Sequence, residues 1–178
     1  TGSVTDNGKI AGRTLEELRK ECRFWLFDDF LPFMDKYVID HDLGGFMCTV
    51  DRDGTQINSN KTAWYEGRGI WTYSYLYNKL DKNPKYLEIA RKSKDFILGI
   101  KPEGDNLWPY TFTKQGKPAG RTNPDIYGDL FIAHGLQEYA KAKGNEQYWD
   151  MAKDIMLRRM KLYDSPDYSL ANTRNMKA

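Results

Sequence analysis

The chain repeats itself with a period of 62 residues. Tyr86–Arg91 returns as Tyr148–Lys153, and turn-forming residues return at the same offset. Each unit consists of a turn or hairpin, a helix rich in aromatic residues, a tight break and a second amphipathic helix. Such a chain is expected to stack helical hairpins, because one unit cannot bury its apolar face alone. The matched turn residues are Asn83 with Asn145 and Gly54 with Gly116.

Apolar residues at three- and four-residue spacing predict five helices. Thr14 is the expected N-cap of the first helix, with Glu17 completing a capping box. Two β-hairpins are expected between helices. The first consists of the strand Gly44–Val50 and the turn Asp51–Gly54, and the second of the strand Tyr110–Thr113 turning at residues 115–117. The predicted helices span residues 14–37, 61–80, 84–99, 124–143 and 145–163.

The second helix bears on whether the hairpins form an open solenoid or a closed ring. At 100° per residue it carries one apolar stripe and one mixed stripe of aromatic and charged residues, and both need partners. Such a helix suits the inner ring of an all-α, (α/α)6 barrel-like toroid with short β-hairpins between its helices. The mixed stripe, which would line a ligand cavity, holds Trp64, Arg68, Trp71 and Tyr75, and the apolar stripe holds Ile70, Tyr73, Tyr77 and Leu80.

The predicted domain organisation is simple. Residues 1–13 are expected to be a disordered or tag-like start. Residues 14–178 are expected to form the N-terminal part of one α/α barrel domain. They hold roughly two and a half repeat units, about half of a closed toroid.

Composition excludes several classes of partner. The 27 Lys and Arg residues nearly balance the 25 Asp and Glu residues, and no basic run is present, so nucleic acid is not an expected partner. Cys22 and Cys48 have no CxxC spacing, which argues against disulfides and structural zinc; both are expected to be reduced, half-buried thiols. No apolar stretch approaches the ~18 residues of a membrane span and no signal peptide is visible. A cytoplasmic location without membrane association is expected.

Several blocks of sequence together carry a family resemblance. In order and spacing they are similar to the N-terminal half of the N-acylglucosamine 2-epimerase family, which includes cellobiose 2-epimerases and related aldose–ketose isomerases. The resemblance implies an (α/α)6 barrel that moves a proton beside a sugar carbonyl through an enediolate, with a mono- or disaccharide as substrate and no cofactor. The blocks are Asp42–Phe46, Asp51–Gly54, Lys61–Tyr77, Tyr127–Phe131 and Gly135–Ala140.

The resemblance also implies where the chain departs from its family. The family's acid/base histidines lie on helices of the second half of the barrel, and neither His41 nor His134 occupies such a position. Whether the chain is an enzyme therefore depends on a C-terminal half carrying those histidines. Glu66 stands where the family often has Gln, and it either contacts the ligand or caps the local turn.

Arg68 is the candidate catalytic residue, since its guanidinium could hold a sugar carbonyl or enediolate oxygen. The alternative is an ion pair with Glu66 or Asp129. Trp64 could stack on a pyranose ring or pack in the core, and Tyr127 could bond a sugar oxygen or be structural. The candidate substrate-binding residues are Trp64, Glu66, Tyr127 and Phe131, and no metal site is expected, because Asp51–Gly54 lacks the spacing of a calcium loop.

Two other functions stay open. A glycoside hydrolase on the same toroid would need a carboxylate pair, and Asp125 and Asp129, four residues apart on one helix, are poor candidates for one. A non-catalytic half-barrel could bind sugar or serve as an oligomerisation module. Its open edge would expose apolar flanks, so this alternative predicts a homodimer or other association through that edge.

Overall fold

The computed structural model describes residues 9–120, 125–166 and 168, and it is predominantly helical. The first helical region consists of α1 (Leu15–Arg23), a π-helical segment (Phe24–Phe30), α2 (Leu31–Phe33) and a second π-helical segment (Met34–Val38). The others are α3 (Ala63–Tyr75), continued by a π-helical segment (Leu76–Leu80), α4 (Pro84–Gly99), α5 (Tyr127–Lys143) and α6 (Glu146–Tyr163). The strands are β1 (Lys9–Ile10), β2 (Arg13–Thr14), β3 (Lys61–Thr62) and β4 (Thr111–Phe112).

Side-chain caps fix where most of the helices begin. Thr14 and Glu17 form the predicted capping box of α1. Asn83 and Asn145 cap α4 and α6, each accepting a hydrogen bond from the backbone N–H two residues later. The predicted bounds of these two helices are confirmed to within a residue. Helix α5 begins at Tyr127, later than predicted: Asp125 and Ile126 are not helical, and the predicted first residue, Pro124, lies outside the described residues.

The 62-residue repeat is visible in the backbone hydrogen bonds of two turns. The N–H of Gly54 donates to the carbonyl of Asp51 at 3.0 Å, and the N–H of Gly116 donates to the carbonyl of Thr113 at 2.9 Å. Both glycines have φ near +90°, which explains why glycine recurs there. The two hairpins therefore have the same local structure, and both predicted turns are confirmed.

The first hairpin is shorter than the predicted strand Gly44–Val50. Only isolated bridges form, between Ile39 and Phe46 and between Val50 and Gln56. Gly44 and Gly45 have φ of +83° and +93°, so the backbone there turns instead of extending.

The predicted helical start at Lys61 is wrong. Lys61 lies in strand β3, which pairs antiparallel with β4. Its side chain is completely buried, and its ammonium donates to Asp40 Oδ2 at 2.9 Å and to the carbonyl of Gly44 at 2.6 Å. The ammonium also lies 3.8 Å from the centroid of the Phe96 ring. These long-range contacts hold Lys61 extended, and α3 begins two residues later behind the N-cap Thr62.

Helices α3 and α5 form the inner layer, with α4 packed behind α3 and α6 behind α5. The inner helices approach so closely that a Cβ on Gly67 would lie 2.3 Å from the backbone of Phe131, and one on Gly135 would lie 2.6 Å from the carbonyl oxygen of Gly67. The main core lies between the two layers and includes Ile70, Tyr73, Ala90, Ile97, Ile132, Leu136 and Ala152.

The first helical region is less buried than its apolar spacing suggests. Leu31 and Val38 are its buried residues, whereas Phe24, Trp25 and Phe30 are half or more exposed. The two π-helical segments shift its register, so apolar positions fall on more than one side. Cys22 is exposed, contrary to the predicted half-buried thiol, while Cys48 is half-buried as predicted.

The expectation of a disordered start falls mostly on residues 1–8, outside the described residues. Residues 9–14 form a small hairpin in which Lys9 pairs with Thr14 and Ile10 with Arg13. Among the described helices, none is long and apolar enough to cross a membrane.

Candidate functional site

Equivalent residues of the two repeat units lie side by side on the inner face of α3 and α5. On these helices the offset is 63 residues: Trp64 faces Tyr127, Arg68 faces Phe131 and Trp71 faces His134. The predicted mixed stripe of α3 is thereby joined by a second stripe from α5. The two stripes form one continuous surface of rings with a single guanidinium among them.

Trp64 is the centre of an aromatic shelf, defined here as Trp64, Arg68, Tyr110, Tyr127 and Phe131. The Trp64 ring centroid lies 6.0 Å from that of Tyr110, 6.2 Å from that of Tyr127 and 5.6 Å from that of Phe131. Its indole Nε1 is buried and has no hydrogen-bond partner among the described residues. Tyr110 was not predicted as a site residue, because it enters from the hairpin and no helical spacing links it to the stripe.

The shelf is an open surface, not an enclosed cavity. The side chain of Arg68 is exposed, and Tyr110 and Tyr127 are 40% and 47% exposed. The Arg68 guanidinium carbon lies 4.4 Å from the centroid of the Phe131 ring. In the described part of the chain, no carboxylate forms an ion pair with Arg68, so its donors are available to a ligand.

Glu66 does not belong to the shelf. It is completely buried on the opposite side of α3, where Oε1 accepts the backbone N–H of Phe46 at 2.8 Å. Its Oε2 has no hydrogen-bond partner among the described residues. Burial raises the pKa of Glu66 to about 8, although the Phe46 N–H and the charge of Lys61 act against the rise. Glu66 therefore anchors the preceding loop and does not reach the face that Arg68 occupies.

Asp129 is likewise turned away from the shelf. Its carboxylate accepts Arg159 Nε at 2.6 Å and the backbone N–H of Trp108 at 3.1 Å. Arg159 also donates to the carbonyls of Asp105 and Asn106, both at 2.9 Å. Burial raises the pKa of Asp129, and Arg159 limits the rise. The ion pair that was the alternative for Arg68 is thus formed by a different arginine.

The two histidines have different surroundings. His41 is exposed, and its Nε2 donates to the backbone carbonyl of Asp35 at 2.9 Å. His134 is exposed on the inner face, with its ring centroid 5.5 Å from that of Trp71. It lies about one helical turn from Phe131, beyond the end of the shelf.

The family model of N-acylglucosamine 2-epimerase (GlcNAc 2-epimerase) matches residues 44–177, most of the chain. The chain belongs to this family. The match includes the helices that carry the shelf and both repeat units, so the resemblance noted in the sequence is confirmed. Solved structures agree: a cellobiose 2-epimerase from Spirochaeta thermophila DSM 6192 superposes with a TM-score of 0.68 at 25% identity. That superposition covers 80% of this chain and 35% of the other, and it identifies the fold as part of an α/α toroid.

Individual members of the N-acylglucosamine 2-epimerase family also match most of the chain. An N-acylglucosamine 2-epimerase of Bos taurus is 25% identical over 149 residues, which are 81% of this chain and 33% of that protein. A cellobiose 2-epimerase of Dictyoglomus turgidum is 27% identical over 143 residues, covering 79% of this chain and 36% of that protein. The chain therefore spans about a third of the length of these relatives.

Proposed function

We propose that this chain provides the sugar-binding face of a carbohydrate 2-epimerase or aldose–ketose isomerase. The observation that supports this most is Arg68, an exposed guanidinium without a carboxylate partner in the described residues, set among four aromatic rings. Aromatic rings pack against the C–H faces of sugars, and a guanidinium binds oxygen that is gaining negative charge. The relatives are named for epimerisation of N-acylglucosamine and cellobiose, so a mono- or disaccharide is the proposed substrate class.

In the proposed reaction, a base removes the proton from the carbon beside the sugar carbonyl. The electrons of that C–H bond form a C=C double bond as the π electrons of the carbonyl move to its oxygen, which becomes an enediolate oxygen. The double bond then takes a proton on its other face or at the neighbouring carbon, and a carbonyl forms again. Arg68 would donate hydrogen bonds to this oxygen as its charge develops. Trp64 would support the sugar ring, and the Tyr127 hydroxyl would bond a sugar oxygen.

The proton-transferring groups are assigned to parts of the protein outside the described residues. His41 donates to a backbone carbonyl, and His134 lies against Trp71 beyond the shelf. The hydrolase alternative has less support, because Asp129 is completely buried and bound to Arg159. A pair of carboxylates flanking a glycosidic bond would have to be free to reach it.

Sugar binding and proton transfer can be tested separately. Titration calorimetry with cellobiose, mannose and N-acetylmannosamine should detect binding to the wild-type chain. Arg68→Gln should weaken the binding tenfold or more, since a hydrogen bond to a charged group contributes ~1.5–3 kcal/mol. Arg91→Gln is the matched control, because Arg91 binds Glu88 and Asp95 on the outer helix α4. Equal binding by both variants, or no binding of any of the three sugars, would contradict the proposal.

The reaction itself is tested on the gene product at the length at which its source makes it. In deuterated water, that protein should exchange the C2 proton of at least one of the three sugars for deuterium. Arg68→Gln should slow the exchange by two orders of magnitude or more, as expected for the loss of a group that stabilises an oxyanion. Binding without exchange would leave a sugar-binding protein and remove the epimerase assignment.

We also propose that the chain associates with a second copy, because the two ends of its helical array expose complementary surfaces. The exposed rings Phe24, Trp25 and Phe30 lie beside the acidic Asp28 and Asp29. The far end of α6 combines exposed apolar side chains with the exposed Lys161, while Arg158 beside it already pairs with Asp154 and Asp105. The apolar side chains are Met156, Leu157, Met160 and Tyr163.

Light scattering after size exclusion should give a dimer mass that falls on dilution. Leu157→Glu should shift the chain to a monomer, since it places a charge on the apolar surface. A wild-type monomer at high concentration would contradict the association.

We also propose a cytoplasmic location for the protein. Both cysteines are free thiols, as is usual in a reducing compartment.

A further inference from the structure

A cavity of about 290 Å³ lies on the side of α3 opposite the shelf. The first helical region lines it with Phe27 and Asp35, the start of α4 lines it with Asn83, Lys85 and Tyr86, and α3 contributes Tyr73. Phe27 and Asp35 belong to the two π-helical segments, whose wide turns are frequent at functional sites. None of the shelf residues lines this cavity.

Two polar atoms of the lining lack hydrogen-bond partners among the described residues. Tyr73 is only 3% exposed, and its hydroxyl is one of them. The other is Asp35 Oδ1, whereas Oδ2 of the same carboxylate accepts Lys85 Nζ at 2.7 Å. His41 Nε2 lies 3.2 Å from Oδ1, but it directs its hydrogen to the Asp35 carbonyl. A buried hydroxyl without a partner is costly, which points to a partner that is supplied from outside.

The lining defines the chemistry of that partner. Phe27 and Tyr86 offer ring surfaces, and the nearly buried ring of Tyr73 lies behind them with its centroid 6.1 Å from that of Tyr86. Asp35 Oδ1 requires a donor, while the Tyr73 hydroxyl can bond either a donor or an acceptor. Burial raises the pKa of Tyr73, so the phenol stays protonated. A small hydroxylated ring with an apolar face meets all of these conditions, and the volume is at the lower end of the ~300–1,000 Å³ typical of ligand pockets.

We propose that this cavity is a second carbohydrate site, which binds one pyranose ring between Tyr73, Asp35 and Tyr86. A vicinal pair of hydroxyls would give one hydrogen bond to Asp35 Oδ1 and one to the Tyr73 hydroxyl, while the C–H face of the ring packs on the aromatic walls. Lys85 holds the Asp35 carboxylate in place through Oδ2. The site does not depend on the proposed epimerase activity, because Arg68 and Tyr73 project from α3 in directions about 140° apart.

The test uses methyl α-mannopyranoside, whose locked ring cannot open to a carbonyl and so cannot be turned over at the shelf. The ring resonances of Tyr86 are followed by NMR in the ¹³C-tyrosine-labelled chain as the glycoside is added. Wild-type protein should give a saturable shift. Tyr73→Phe and Asp35→Asn should each weaken the binding about tenfold, because each removes one hydrogen bond and keeps the shape. Arg68→Gln, which changes only the shelf, should leave the Tyr86 titration unchanged.

Two results would overturn the proposal: Tyr86 signals that do not move at saturating glycoside, and an affinity at Tyr86 that Tyr73→Phe and Asp35→Asn leave unchanged. Tyr73→Phe is expected to fold normally, since the hydroxyl it removes has no partner in the described residues. Its melting temperature should be at or above that of the wild type, which separates lost binding from lost structure. If the proposed sugar binding at the shelf is wrong, calorimetry will show no difference between Arg68→Gln and its control. That result would not affect the titration followed at Tyr86.

Discussion

The two repeat units anchor the loop in front of their inner helix in the same way but treat the buried charge differently. In the first unit the N–H of Phe46 donates to Glu66, and in the second unit the N–H of Trp108 donates to Asp129. Phe46 and Trp108 are 62 residues apart, and both are almost completely buried. Each unit thus uses a carboxylate on the inner helix to satisfy the backbone of its preceding loop.

The difference lies in what neutralises that carboxylate. The second unit places Arg159 against Asp129, whereas the position 62 residues earlier is Ile97, a completely buried apolar residue. Among the described residues no arginine pairs with Glu66, and burial raises its pKa to about 8. One backbone arrangement is compatible with an ion pair or with a proton on the acid, because either avoids an unpaired charge in the core.

Removal of Arg159 should have the largest effect on stability. It leaves the second unit without an arginine beside its buried carboxylate, as in the first unit, but in a core that is packed around the ion pair. Arg159→Met should lower the free energy of unfolding by about 3–5 kcal/mol, the cost of leaving one partner of a buried ion pair alone. Urea denaturation at neutral pH measures it. Arg158→Met is the matched control: Arg158 is exposed, pairs with Asp154 and Asp105, and should cost less than about 1 kcal/mol. Similar losses in both variants would refute the special role of the buried pair.

Replacement of Glu66 should remove the pH dependence that belongs to the first unit. A buried acid with a raised pKa holds its proton longer in the folded state, so its contribution is fully present below the unfolded pKa of 4.5 and is lost as the pH rises through about 8. Glu66→Gln keeps the oxygen that accepts the Phe46 N–H and carries no charge. It should match the wild type near pH 4.5 and exceed its stability by about 5 kcal/mol at pH 9, the order of magnitude set by a pKa raised from 4.5 to about 8.

The difference between the two urea-denaturation profiles isolates Glu66 from every other titrating group. Parallel profiles from pH 4.5 to pH 9 would mean that Glu66 is ionised in the fold. In that case the first unit would tolerate an unpaired buried charge, and the contrast with Asp129 would disappear.

The smallest effects on stability should come from the asparagine N-caps of the outer helices, which both units share. Asn83→Ala and Asn145→Ala each remove the cap of an outer helix and should each cost about 1 kcal/mol, measured by thermal or urea unfolding. Equal costs would support equivalent caps in both units. A difference above about 1 kcal/mol would show that the units have diverged in their outer helices as well.

Local signals in the sequence account for much of this structure. The caps at Asn83 and Asn145 and the glycine turns could be predicted because each depends on residues within a few positions. The strand at Lys61 could not, because its buried ammonium is held by Asp40 and Gly44, far away in the sequence. The π-helical segments of the first helical region have no local sequence signal.

The candidate site was predicted in part for similar reasons. Helical spacing was enough to place Trp64 and Arg68 on one face. Glu66 is two residues from Arg68 and therefore about 200° away around the helix, so helical spacing places the two side chains on different faces. Glu66 was included among the candidate site residues because of the family resemblance alone. Tyr110 and the Asp129–Arg159 pair depend on how distant segments meet, which no single stretch of sequence encodes.

The contact at Gly67 and Gly135 bears on how a sugar would be received. Because backbone meets backbone there, α3 and α5 are in close contact, and we expect this contact to hold the rings of Trp64, Tyr127 and Phe131 in a fixed arrangement. A binding surface held in this way would be preorganised, and little conformational entropy would remain to be lost when a ligand arrives. Discrimination between sugars would then rest on the fit to a fixed template and not on induced closure.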